Sequence, residues 1–128
     1  MGVLELCKNG NIDLVKALIE RGVSLQEIND VGETCLLVAC KSGILELVKY
    51  LLANGSDINE KDDDGATSSI IASQNGNLEL VKYLLENGND IHEKDDYGST
   101  CLLYACENGH FNIVKYLIEN GCYSWKKY

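Results

Sequence analysis

The sequence predicts an all-α fold, a solenoid of four stacked helix–turn–helix units joined by short β-hairpin or turn connectors. Two observations carry this. Glycines at 10, 43, 76 and 109, and again at 22, 55, 88 and 121, recur every 33 residues without a slip. A fixed period in this range marks repeats that bury their cores only by stacking. Between those glycines one segment returns in four variants: GNIDLVKALIERG, GILELVKYLLANG, GNLELVKYLLENG and GHFNIVKYLIENG. Its apolar residues, such as Ile12, Leu14, Val15, Leu18 and Ile19, have the spacing of an amphipathic helix.

The first unit opens on Val3, Leu4 and Leu6, breaks at Asn9-Gly10, and continues into a helix over Ile12–Glu20. It has no leading turn, as expected of a terminal repeat with one face in water. The connectors VSLQEINDVGE (23–33), SDINEKDDDGA (56–66) and NDIHEKDDYGS (89–99) each hold a central isoleucine (Ile28, Ile58, Ile91) and end near Gly32, Gly65 or Gly98. This turn chemistry predicts a short extended hairpin at each junction. Thr34, Thr67 and Thr100 follow as N-caps of a short helix, since a threonine hydroxyl accepts from the unpaired first-turn N–H groups. Ala39, Ala72 and Ala105 give small positions where neighbouring helices approach. In the longer helix, Glu46 with Lys49 and Glu79 with Lys82 are expected as surface pairs worth about 0.2–0.5 kcal/mol each. Packing rests instead on Leu47, Val48, Leu51, Leu52 and their repeats. With no proline and no Gly/Ser linker, residues 1–128 read as one domain. Its units fall at about 1–29 (cap-like), 30–62, 63–95 and 96–128.

This order of turn, threonine-capped short helix, glycine and longer helix resembles the ankyrin repeat over nearly the whole chain. The family signature T-P-L-H-x-A-A appears as Thr34-Cys35-Leu36-Leu37-Val38-Ala39-Cys40, Thr67-Ser68-Ser69-Ile70-Ile71-Ala72-Ser73 and Thr100-Cys101-Leu102-Leu103-Tyr104-Ala105-Cys106. Its proline and histidine are absent from every unit. Leu37, Ile70 and Leu103 cannot make the hydrogen bonds that the family's histidine makes with neighbouring turns. Ser68-Ser69 also removes apolar burial from the third unit, the expected soft point of the stack.

The resemblance implies a non-enzymatic protein-binding module that holds its partner along the connector tips and the concave groove. The residues there that vary between units are Asp30, Val31 and Glu33, then Asp63, Asp64 and Ala66, then Asp96, Tyr97 and Ser99 around the turns. At the ends of the short helices they are Lys41 and Ser42, Gln74 and Asn75, and Glu107 and Asn108. Tyr97, an aromatic among acids, is the expected anchor. The resemblance also implies that Asn59 and His92, each eight residues after a leucine (Leu51, Leu84), are candidate substrates of an asparaginyl hydroxylase.

Composition excludes several function classes. A net charge of −9 argues against non-specific nucleic-acid binding and favours a protein partner with a basic surface. Apolar runs such as Leu36–Cys40 fall far short of the ~20 residues that span a bilayer, so no membrane partner is expected. No secretory signal is visible, and Leu6 stands where a myristoylation site needs Ser or Thr. A cytoplasmic or nuclear setting follows as the expectation.

Cys7, Cys40 and Cys106 share one repeat position, and Cys35 and Cys101 another. Such slots suit a small hydrophobe, and equivalent positions about 10 Å apart are too distant for disulfides. Free thiols are expected, with Cys122, outside the pattern, the most exposed. No cofactor or metal is expected. The acidic connectors miss the ligand order of a calcium loop, and no Cys or His pair has zinc spacing. Neither His92 nor His110 belongs to a catalytic constellation, so no enzyme is expected.

Tyr50, Tyr83 and Tyr116 recur at one long-helix position and are expected as half-buried packing between units. The last long helix presents Phe111, Ile113, Val114, Leu117 and Ile118 with no following repeat. Tyr123 and Trp125 are expected to fold back over it. The expected state is a monomer. Self-association through this C-terminal face, or origin in a longer array, are the alternatives.

Overall fold

Four helix pairs follow the 33-residue period in the computed structural model, which describes residues 2–122. In order they are α1 (Val3–Lys8) with α2 (Ile12–Glu20), α3 (Cys35–Ser42) with α4 (Leu45–Ala53), α5 (Ser68–Asn75) with α6 (Leu78–Glu86), and α7 (Cys101–Glu107) with α8 (Phe111–Glu119). Each first helix packs on its own longer partner and on the short helix of the next pair, α1 on α3, α3 on α5 and α5 on α7. The core is therefore a continuous strip. Leu36, Leu47, Leu51, Ile70, Leu80, Leu84, Leu102 and Leu117 are wholly buried in it, each worth about 1.5–3 kcal/mol.

The threonine caps form. Thr34, Thr67 and Thr100 Oγ1 accept from the N–H of Leu37, Ile70 and Leu103, each at 3.3 Å. A second device closes the long helices: Asn54, Asn87 and Asn120 donate Nδ2 to the carbonyls of Tyr50, Tyr83 and Tyr116 at 2.8, 2.7 and 2.8 Å. Those carbonyls lie in the last turn, and those of Tyr83 and Tyr116 also accept from the Asn87 and Asn120 backbone N–H, both at 3.1 Å.

The connectors are turns. Among the described residues there is no strand, and the only ladder pairing is an isolated bridge between Lys61 and Thr67. Side chains take the place of the hairpin ladder. Asn29 Oδ1 accepts from the N–H of Val31 and Glu33 at 3.1 and 2.9 Å. Asp62 does the same for Asp64 and Ala66, both at 2.9 Å, and Asp95 for Tyr97 and Ser99 at 3.0 and 2.9 Å. Short polar side chains compete with ladders in this way. Successive turns are tied through the backbone, Asp63 N–H to Val31 C=O at 3.0 Å and Asp96 N–H to Asp64 C=O at 2.8 Å. These bonds join neighbouring turns without the family's histidine.

The expected pairs within the long helices are replaced by contacts between units. Lys16, Lys49 and Lys82 lie over the rings of Tyr50, Tyr83 and Tyr116 in the following pair, at 5.3, 5.2 and 5.5 Å. Lys16 also reaches Glu46 at 3.9 Å. A half-buried ring face is worth about 0.5–1 kcal/mol to a lysine, more than an exposed pair on one helix. The three tyrosines are half-buried, as expected.

The third pair holds a buried polar cluster where the others are apolar. Asn89 Oδ1 accepts from Ser68 Oγ at 2.7 Å and from Ser69 N–H at 2.9 Å, and its Nδ2 donates to Ile58 C=O at 2.7 Å. Ser69 Oγ lies 3.2 Å from Thr67 Oγ1. Both serines are thus buried with their hydrogen bonds made.

Candidate interaction surface

The turns present a row of exposed side chains, Asp30 and Val31, then Asp63 and Asp64, then Asp96 and Tyr97. Val31 is 54% exposed and Tyr97 59%. Tyr97 Oη donates to Asp64 Oδ1 of the preceding turn at 3.2 Å, so its ring bridges two units. That hydrogen bond, with the Asp64 charge, pushes the phenol above its ordinary pKa.

Three positions expected in this row are not part of it. Glu33, Ala66 and Ser99 are buried. Their N–H groups are held as described, and their carbonyls accept from the N–H of Asn29, Asp62 and Asp95 at 3.1, 3.1 and 3.0 Å. They close the turn from inside. Glu33 also accepts from Asn29 Nδ2 at 2.9 Å and pairs with Lys41 at 3.4 Å.

At the ends of the short helices, Lys41, Ser42, Asn75, Glu107 and Asn108 are exposed and Gln74 is half-buried. One register position among them has a second duty. Ser42 Oγ donates to Lys8 C=O at 3.1 Å, Asn75 Nδ2 to Lys41 C=O at 3.0 Å, and Asn108 Nδ2 to Gln74 C=O at 3.3 Å. Each satisfies a carbonyl at the end of the preceding short helix. These residues differ between units, but all of them are donors. A groove of about 330 Å³ lies beside the first of them, lined by Leu4, Lys8, Asn29, Glu33, Lys41 and Ser42 among others. A larger hollow of about 710 Å³ lies between the first two connectors. Thr34 and Glu60 in its wall are already bonded to each other at 2.7 Å.

Much of the connector acidity serves the turns. Besides Asp62 and Asp95, Asp57 and Asp90 Oδ1 accept from the N–H of Asn59 and His92, both at 2.8 Å. Glu60 is bonded to Thr34, and Glu93 to Lys61. Asp95 also accepts from Tyr104 Oη through its other oxygen. Burial and this hydrogen bond push the Tyr104 phenol up to about 12. Asp30, Asp63, Asp64 and Asp96 are left to set the charge of the exposed row. Among the described residues, no group of three His, Cys, Asp or Glu side chains could hold a metal ion. Asn59 and His92 are exposed, whereas Leu51 and Leu84, eight residues before them, are wholly buried.

All six cysteines are free, but their exposure reverses one expectation. Cys122 is 1% exposed and Cys106 is the exposed thiol. Burial pushes the Cys122 thiol above its ordinary pKa. The slot of Cys106 is covered in earlier pairs by the next unit, and Cys7, Cys40 and Ser73 are buried there. Contact runs between non-equivalent positions: Cys7 faces Cys35 across the first boundary, and the neighbouring thiol, with burial, holds Cys35 well above the ordinary thiol range. Ser73 Oγ is buried without a hydrogen-bond partner, in a slot that elsewhere takes sulfur. Titration of the native protein with a disulfide reagent at neutral pH should therefore modify one thiol quickly, and Cys106→Ser should abolish that phase. The other five should react only on unfolding. Rapid reaction of Cys122 would contradict this assignment.

Tyr123 and Trp125, the expected cover of the last pair, lie outside the described residues. Comparison with curated proteins returns no match. The family model described as Ankyrin repeats (3 copies) matches residues 4–62 and 54–127. Those spans take in all four helix pairs, their threonine caps and the connector turns, and the chain belongs to the ankyrin repeat family.

Proposed function

We propose that this chain is a non-enzymatic adaptor that binds a protein with a basic surface. Its working surface would be the connector tips Asp30, Val31, Asp63, Asp64, Asp96 and Tyr97, extended by Lys41, Gln74 and Glu107. Ankyrin repeats are generally protein–protein interaction modules. One observation carries the reading further: the backbone bonds of 3.0 and 2.8 Å between successive turns hold the exposed side chains in fixed register. A row ordered in advance loses little entropy on binding. The exposed aspartates and the net charge of −9 support a basic partner. The free thiols support a reducing compartment, cytoplasm or nucleus. No helix among the described residues is long and apolar enough to cross a membrane.

The test is quantitative affinity capture on immobilised protein. Tyr97→Ala and Asp63→Lys/Asp64→Lys should each lower recovery of the bound partner by about tenfold or more, the scale of an interface hot spot. Glu79→Lys, a charge reversal on the exposed face of α6, should not. Recovery should also fall as salt rises. Equal capture by all four proteins would exclude the tips as the binding site.

A further inference from the structure

Each boundary inside the molecule is built from the same contacts. A donor at the end of one short helix reaches the preceding unit's carbonyl, as in Asn75 to Lys41 and Asn108 to Gln74. The residue before each long helix covers the preceding unit's glycine: Ile44 lies against Gly10, Asn77 against Gly43 and His110 against Gly76. Asn77 also donates to Gly43 C=O at 3.1 Å. At the first boundary Lys16 also reaches across to Glu46. Val15, Val48 and Val81 are sealed, as are Leu47, Leu80 and Ile113.

The two ends of the described stack are the halves of one more such boundary. At α8, Phe111 is 82% exposed, Val114 is only half-buried, nothing lies within 4 Å of a Cβ placed on Gly109, and Lys115 turns to Glu119 of its own helix at 4.0 Å. At α2, Leu14 is 50% exposed where Leu47 and Leu80 are sealed. The period places Asn9 at the position of Asn75 and Asn108, Asn11 at that of Asn77, and Asp13 at that of Glu46. Asn9, Asn11 and Asp13 are all exposed.

We propose that the outer face of α7 and α8 docks the α1–α2 face of a second copy of this chain, so that copies stack head to tail and continue the solenoid. Asn9 would donate to the free end of α7, Asn11 would cover Gly109, Asp13 would take Lys115, and Leu14 would seal Val114. An interface of this kind does not close at two copies, so it builds open chains. Each copy carries −9, so repulsion opposes stacking at low salt and screening strengthens it. Capture of a basic partner has the opposite salt dependence.

Sedimentation of the full chain from micromolar to millimolar concentration tests this. The average mass should rise with concentration and with salt. Leu14→Asp blocks one face and Phe111→Asp the other. Both positions are exposed, so each variant should keep the wild-type helical circular dichroism. Alone, each should stay monomeric at concentrations where wild type assembles. Mixed in equal amounts, they should give a dimer and nothing larger, through the one intact pair of faces. A wild type that stays monomeric throughout, a Leu14→Asp variant that still dimerises tail to tail, or a mixture that stays monomeric would each overturn the proposal.

Discussion

Asn89→Ala is expected to destabilise the protein by about 3 kcal/mol or more, read as a lower urea midpoint at unchanged slope. Asn89 is buried and satisfies three groups at once, the Ser68 hydroxyl, the Ser69 N–H and the Ile58 carbonyl. A buried polar group left without its partner costs about 1–3 kcal/mol. Alanine strands all three, and no apolar contact replaces them. The fourth unit shows the alternative solution at the same register. There Cys101, Leu102 and Cys122 stand where the third has Ser68, Ser69 and Asn89, and all three are buried. The triple variant Ser68→Cys/Ser69→Leu/Asn89→Cys should therefore recover most of the lost stability. Ser68→Cys/Ser69→Leu with Asn89 retained should lose less than Asn89→Ala, because the amide still accepts from the backbone N–H of residue 69 and donates to the Ile58 carbonyl, and forfeits only the Ser68 hydroxyl. Such strong non-additivity is the mark of residues acting as one network. A loss under about 1 kcal/mol for Asn89→Ala would show that the serines find other partners.

This cluster also shows where sequence reading stops. The helices, threonine caps and family were legible because a rigid 33-residue period aligns every unit. Ser68-Ser69 reads as lost burial until Asn89, some twenty residues away, is seen to answer it. Glu33, Ala66 and Ser99 vary between units and so resemble contact residues. What the fold uses in common at these three positions is the backbone N–H and C=O, so the buried side chain can differ from unit to unit. Ser42, Asn75 and Asn108 vary for a related reason: the frame needs a donor, and serine or asparagine supplies it. Variation between repeats therefore marks positions where the frame asks little of side-chain identity, and partner contact is one reason among several. Exposure at the ends is legible least, because Cys106 shares its register with buried Cys7 and Cys40 and differs only in what lies beyond it.

Gly65→Ala is expected to cost about 2–4 kcal/mol, the sum of a left-handed backbone and an overpacked contact. Gly109→Ala should cost only about 1 kcal/mol. Both glycines have positive φ, +76° and +72°, so both substitutions carry the conformational penalty. They differ in surroundings. A Cβ on Gly109 meets nothing within 4 Å, whereas on Gly65 it would lie 2.5 Å from Asp96 Oδ1 and 3.1 Å from the Asp96 backbone nitrogen. The carboxylate can swing away, but the nitrogen cannot without lengthening the 2.8 Å bond that ties the third turn to the second. Relief of the clash therefore acts on the register of the exposed tips. Gly65→Ala should lower partner capture at temperatures where the variant is still fully folded, because Asp64 and Tyr97 lose their fixed spacing while both side chains remain. Gly109→Ala should leave capture unchanged. Equal stability losses for the two would mean that the turn-to-turn contact is soft, and normal capture by Gly65→Ala would mean that tip register does not govern binding.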